Sequence, residues 1–168
     1  MNKKETKETF LKTFAKLKNP FLALACTLAL AQLFLNSGNN ISGLPSIPVL
    51  LAKSLSMAMG KYYLLFAPFV GALGAAITGS NTVSNILFGS FQVGASALTN
   101  APLFLILALQ TVGGAIGNLL AIHNILIASA TVNLHGKEGE IIKRTFWVCL
   151  IYLIIVSATG FVLFKWII

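Results

Sequence analysis

Charge is the scarcest property of this chain. Its 168 residues hold 4 acidic and 12 basic side chains, 10% charged in all, against 57% hydrophobic and a mean hydropathy of +0.86. Soluble domains carry about a quarter charged residues. The shortfall excludes a disordered chain, a nucleic-acid-binding domain and an ordinary water-soluble enzyme. The net charge of +8 is no nucleic-acid footprint, because the basic residues lie at the edges of apolar runs and not along one polar face. Cysteine is nearly absent: Cys26 and Cys149 sit inside apolar stretches, with no disulfide framework and no zinc spacing. No nucleophile–base pair, carboxylate pair or phosphate loop is visible. The expectation is therefore no enzyme, no cofactor and no metal.

The few charges mark out a membrane protein. None falls between Asn19 and Ala52, none in the 75 residues from Tyr62 to Gly136, and none in the 20 from Thr145 to Phe164. A bilayer core of roughly 30 Å needs about 20 apolar residues of helix, so several crossings fit. Residues 1–18 hold six lysines and two glutamates. Phe10, Phe14 and Leu17 recur there at helical spacing, which is compatible with an amphipathic surface helix or a solvated tail. With Glu5 and Glu8 present and no small-residue cleavage site following, this is not a cleavable signal peptide. Residues 1–18 thus form a basic cytoplasmic or interfacial segment, and 19–168 a membrane domain.

Within that domain Phe21 to Leu35 makes a first crossing, ended by the turn residues Asn36 to Asn40. Val49 to Met59, between Lys53 and Lys61, is expected at the interface. Tyr62–Thr78 and Ile86–Leu98 are apolar arms, short for full crossings, around a polar tip. They form a re-entrant helical hairpin or two full crossings, and the pattern leaves both open. Leu103 to Ile122 is apolar but interrupted near His123, and Thr145 to Ile168 is the last crossing, with Trp147, Tyr152 and Trp166 as interfacial anchors. The fold class is all-α and integral to the membrane: about three crossings plus the hairpin, or five crossings. Lysines at the N-terminus and Lys137, Lys143 and Arg144 place both segments in the cytoplasm, with Lys53, Lys61 and Lys165 against the rule.

The tip carries the chemistry. Thr78-Gly79-Ser80-Asn81-Thr82-Val83-Ser84-Asn85 holds six polar, uncharged residues in eight. Irregular polar backbone at membrane depth survives only where it lines protein or a water-filled cavity. A helix starting near Thr82 or Ser84 would direct free N–H groups and a positive dipole end toward the midplane, which is an anion site without formal charge. Gly79, Ser80, Asn81, Thr82, Ser84 and Asn85 are the candidate ligands. Hydroxyls and amides also hold membrane helices together, the competing reading. Asn118, and Asn124 as a cap for the following half-helix, extend the candidate set. His123 is a candidate proton carrier or a neutral packing histidine. Gly113 with Gly117, and Gly71 with Ala75 and Gly79, are expected at close helix contacts.

Several stretches resemble the L-lactate permease family, in order over roughly residues 20–168. They are Ala67-Pro68-Phe69-Val70-Gly71-Ala72-Leu73-Gly74, Thr78 to Phe88 with Gln92, Gln110 to Asn118, Ile122-His123-Asn124, Ser129 to Val132 and Gly136 to Glu140. The resemblance implies a proton-coupled importer of lactate and related 2-hydroxy monocarboxylates such as glycolate, working by alternating access in the cell membrane. Its implied partners are the bilayer, the substrate and protons, with no nucleic acid. More distantly, Ser80-Asn81-Thr82 resembles the Ser-Asn-Thr signature that contacts substrate and coupling ion in a wider ion transporter superfamily. Family members exceed this chain about threefold in length, so the resemblance covers their C-terminal third. The expected partner is the missing N-terminal part as a separate chain. A truncated, non-transporting fragment and a small structural membrane protein are the alternatives.

Overall fold

The structure is a computed structural model describing residues 7–10, 12, 22, 25–26, 28–134 and 136–167. The surface helix expected over 1–18 lies mostly outside the described residues, as does the first part of the crossing Phe21–Leu35. Residues 28–35 are helical. Six helices follow: α1 (Ile47–Met59), α2 (Tyr63–Thr78), α3 (Asn81–Thr99), α4 (Leu103–Gly117), α5 (Ile122–Thr131) and α6 (Glu138–Ile167). Among the described residues there is no strand. Among the described residues three stretches are long and apolar enough to cross a membrane: Ile47–Thr78, Leu103–Leu120 and Glu138–Trp166. The chain is an all-helical membrane protein.

The first of these stretches is not one straight rod. Ile47 and Thr78 line the same apolar cavity of about 520 Å³, together with Leu87 and Phe88. In a straight helix their Cα atoms would lie about 46 Å apart. The chain instead reverses at Gly60, whose φ of 50° and ψ of −130° suit glycine. A single 3₁₀ turn, Gly60–Tyr62, leads into α2. The buried stripe Pro48, Ala52, Ser56 recurs every four residues and turns α1 toward α3. Ala52 there reaches Gly94 of α3. The piece expected at the interface is thus packed into the bundle, since an i, i+4 stripe of small residues allows close approach.

Two further turns set the topology. Gly79, left-handed at φ 70°, closes α2 by donating its N–H to Ala75 O at 2.7 Å. Asn100, also left-handed, ends α3, and Pro102 starts α4. Consequently α2 and α3 are antiparallel, and α4 runs parallel to α2. These two are in backbone contact: Gly113 lies against the Pro68 carbonyl, Gly117 against that of Ala72, and Gly71 against that of Gln110. The close contacts expected of Gly71, Gly113 and Gly117 are present. Long α6 runs antiparallel to both, through Ser157 Oγ donating to Leu65 O at 2.8 Å and Gly160 beneath Leu109.

The same contacts give the hairpin's depth. Tyr62 stacks on Phe161, near the C-terminal end of the uncharged stretch of α6. Ala76 and Leu120 share a cavity with Phe146, Cys149 and Leu150, near its start. The arms therefore run nearly the full length of that stretch. The tip lies within about one turn of the end flanked by Lys143 and Arg144 and not at mid-depth. Sixteen residues in α2 and 19 in α3 account for this: at 1.5 Å each they rise about 24 and 28 Å, most of a roughly 30 Å slab.

Gly113→Ala should destabilise the bundle by about 1–3 kcal/mol, because the added methyl meets backbone and not a movable side chain. Gly89→Ala, with nothing within 4 Å, should be neutral or slightly stabilising. Unfolding in mixed detergent, followed by helicity, separates the two.

Candidate functional site

The site is built around the first turn of α3. Ser80 is extended and caps the helix, its Oγ accepting from Val83 N–H at 3.3 Å. Its carbonyl accepts the first helical bond, from Ser84 N–H at 2.9 Å. The N–H groups of Asn81 and Thr82 precede that bond, so the ladder does not use them. Thr78 Oγ1 donates to Gly74 O at 2.8 Å and fixes the entry to the turn. Thr82 is exposed.

Asn81 and Asn85 stand one turn apart on one face, toward α4. Asn81 Oδ1 fills the notch left by the missing side chain of Gly114. Asn85 donates from Nδ2 to Thr111 Oγ1 at 3.4 Å, and Thr111 in turn donates to Leu107 O at 2.9 Å. Both asparagine Oδ1 atoms are buried and accept no hydrogen bond. Unpaired buried acceptors cost about 1–3 kcal/mol each. The two lie one turn apart on one helix face, below the first-turn N–H groups that the ladder leaves unused. The positive end of α3 favours a negative group there.

The second interruption reaches the same tip. After α4 a 3₁₀ turn, Asn118–Leu120, leads to extended Ala121 and then α5. The chain was expected to break near His123, and the break lies two residues before it. The His123 ring packs directly on Gly79, in the space a Cβ would occupy. His123 is exposed at its other face. Asn124 does not cap α5. It donates from Nδ2 to Asn118 O at 2.9 Å and Oδ1 at 3.3 Å, filling the hydrogen-bonding gap the break opens. Asn118 and Asn124 are thus committed to each other, whereas His123 lies against Gly79, and Asn81 and Asn85 lie against α4 at Gly114 and Thr111. Ser84 points elsewhere: it is fully buried and donates to Gly71 O at 2.8 Å. Among the described residues no group of three His, Cys, Asp or Glu is placed to hold a metal.

Gln92 and Gln110 entered the sequence reading only as parts of the family resemblance. They meet in the interior, Gln92 Nε2 donating to Gln110 Oε1 at 2.6 Å. Their signal was available: two amides inside apolar runs, with Ser84 and Gln92 eight residues apart on one face of α3.

The profile of the L-lactate permease family matches residues 1–167. The chain belongs to the L-lactate permease family. The L-lactate permease of Escherichia coli K12 is 36% identical over 89% of this chain and 25% of its own length. That of Salmonella typhimurium LT2 is 36% identical over 82% of this chain and 23% of its own. The glycolate permease of Escherichia coli K12 is 33% identical over 81% and 23%. The chain spans about a quarter of the length of these curated relatives. Permeases are carriers and not enzymes. No solved structure matches the chain.

Gly79→Ala should open the tip, since it forces a residue with a Cβ into left-handed backbone, at about 1–2 kcal/mol, and also displaces the imidazole. In Gly79→Ala/His123→Ala only the backbone cost should remain. Hydrogen exchange at residues 79–83 should rise more in the single than in the double variant.

Proposed function

We propose that this chain is part of a carrier that imports L-lactate, glycolate and related 2-hydroxy monocarboxylates across the cell membrane together with a proton. The observation that carries this reading is the pair of buried, unpaired acceptors on Asn81 and Asn85 beside the free N–H groups of α3. A 2-hydroxy acid matches that pattern. Its carboxylate accepts from the N–H groups of Asn81 and Thr82 and from the hydroxyls of Ser80 and Thr82. Its hydroxyl donates its one hydrogen to one of the two asparagine carbonyls. A simple carboxylate without the hydroxyl leaves the acceptors empty.

In this reading Gly79 supplies the tight turn, and Ser84 supports the site from behind. Asn118 and Asn124 hold the adjacent break, and alternating access carries the tip between the two sides. His123, lying against Gly79, is the group that takes up the coupled proton. The N-terminal segment, 1–18, lies in the cytoplasm. With a quarter of the relatives' length present, the remaining part of the carrier is the partner needed for transport, supplied as a separate chain or as more of this one.

The test is uptake of labelled lactate by cells lacking their own carrier. They produce this chain with the N-terminal portion of a relative. Uptake is expected with both parts. Its absence from every combination would support a non-transporting fragment instead. Asn81→Ala should lower uptake about tenfold, the loss of one hydrogen bond to the substrate. Lactate should compete far better than propionate, which has no hydroxyl. His123→Gln should flatten the pH dependence; an unaltered profile makes His123 a packing residue only.

A further inference from the structure

A chain of hydrogen bonds crosses the bundle through its driest part. Tyr63 of α2 donates its hydroxyl hydrogen to Gln92 Oε1 of α3. Gln92 Nε2 donates to Ala67 O at 3.2 Å and to Gln110 Oε1 of α4 at 2.6 Å. Gln110 Nε2 donates to Ser84 Oγ at 3.3 Å, and Ser84 donates to Gly71 O at 2.8 Å. None of the four side chains is more than 1% exposed. The direction of the chain is forced. Gly71 O only accepts, so Ser84 must donate to it and present its oxygen to an amide N–H. Gln110 must then turn Oε1 toward Gln92, and Gln92 must turn Oε1 toward Tyr63.

Adhesion alone does not account for such a chain. A polar contact between membrane helices is worth about 0.6 kcal/mol, and leucines in these places would hold three helices as well. A one-way chain does something leucines cannot: it accepts a single rotation and a single height of α3. Ser84 sits three residues after Asn81 and one before Asn85. Holding Ser84 on Gly71 O turns the asparagine face to α4, setting Asn81 over Gly114 and Asn85 on Thr111.

We propose that Tyr63, Gln92, Gln110 and Ser84 are positioning residues, a fixed-polarity chain that locks the register of α3 against α4 and so builds the acceptor pair. The register claim stands on the contacts alone; its consequence for lactate rests on the carrier reading above. The titratable and charged groups on the surrounding elements are few. Tyr63 of α2 is in the chain, Lys53 of α1 and Lys61 and Tyr62 of the 3₁₀ turn are exposed, α3 and α4 have none, and α6 offers Cys149 against Ile116 O, exposed Tyr152 and its terminal charges.

Gln110→Glu is the discriminating variant. Protonated, the carboxyl accepts from Gln92 and donates to Ser84, as the amide does. Ionised, it cannot donate, and Ser84 must leave Gly71 O. Register is read by oxidative cross-linking of Asn85→Cys/Thr111→Cys in membranes, normalised to the Gln110 parent at the same pH. Burial holds a carboxyl at this place well above the ordinary Glu range, so with Gln110→Glu cross-linking should match the parent at about pH 5 and fall about tenfold at the alkaline pH where the infrared band of the protonated carboxyl is lost, reversibly. Gln110→Leu should be low throughout. Cross-linking that stays at the parent's level once that band is lost overturns the proposal, even where Gln110→Leu fails to fold. In the two-part uptake assay, without the cysteines, lactate uptake by Gln110→Glu should follow the same pH change relative to the parent. Uptake that ignores it also overturns the proposal. A parent that shows the cross-linking pattern but transports no lactate leaves the register claim standing and counts against the carrier reading alone.

Discussion

In an apolar slab a hydrogen-bonding atom must find its partner inside the protein, and that requirement shapes this molecule. The backbone meets it with helices. At the break after α4, Asn124 meets it by donating to Asn118. At the centre, the amides of Gln92 and Gln110 meet it through a chain that runs from Tyr63 to the Gly71 carbonyl. Against this background the two unpaired oxygens at the head of α3 stand out. Ser56 Oγ on α1 is the other buried side-chain atom without a partner among the described residues, but it stands alone, whereas the two asparagines share one face of α3.

Close backbone packing makes the arrangement possible. Gly71, Gly113 and Gly117 bring α2 and α4 into carbonyl contact, and Gly114 leaves the notch that Asn81 enters. One helix thus serves two purposes: its glycines press on α2 while its neighbouring face, Thr111 and Gly114, receives the asparagines. His123 completes the tip from a third element by lying over Gly79.

Much of this was legible in the sequence. The absence of charge from Tyr62 to Gly136 and from Thr145 to Phe164 announced membrane helices. The polar run from Thr78 to Asn85 announced a turn between two arms, and the spaced glycines announced tight packing. Three features were not legible. The reversal at Gly60 depends on one glycine's backbone angles between two runs that look continuous. The depth of the tip depends on how α6 lies against α2, which local composition does not encode. The division among the polar residues was hidden because Ser84 and Asn85 are adjacent letters of similar polarity, yet 100° of helix separates an interior bond from an open face.

The central claim is that the head of α3 holds a small hydroxy acid through its free N–H groups and the asparagine carbonyls. Amide hydrogen exchange of the chain in lipid nanodiscs, with its N-terminal counterpart present, tests it most directly. Saturating lactate should slow exchange at Asn81 and Thr82, while propionate at the same concentration should not. Equal exchange at those two amides with and without lactate, in an assembly that transports it, would contradict the account.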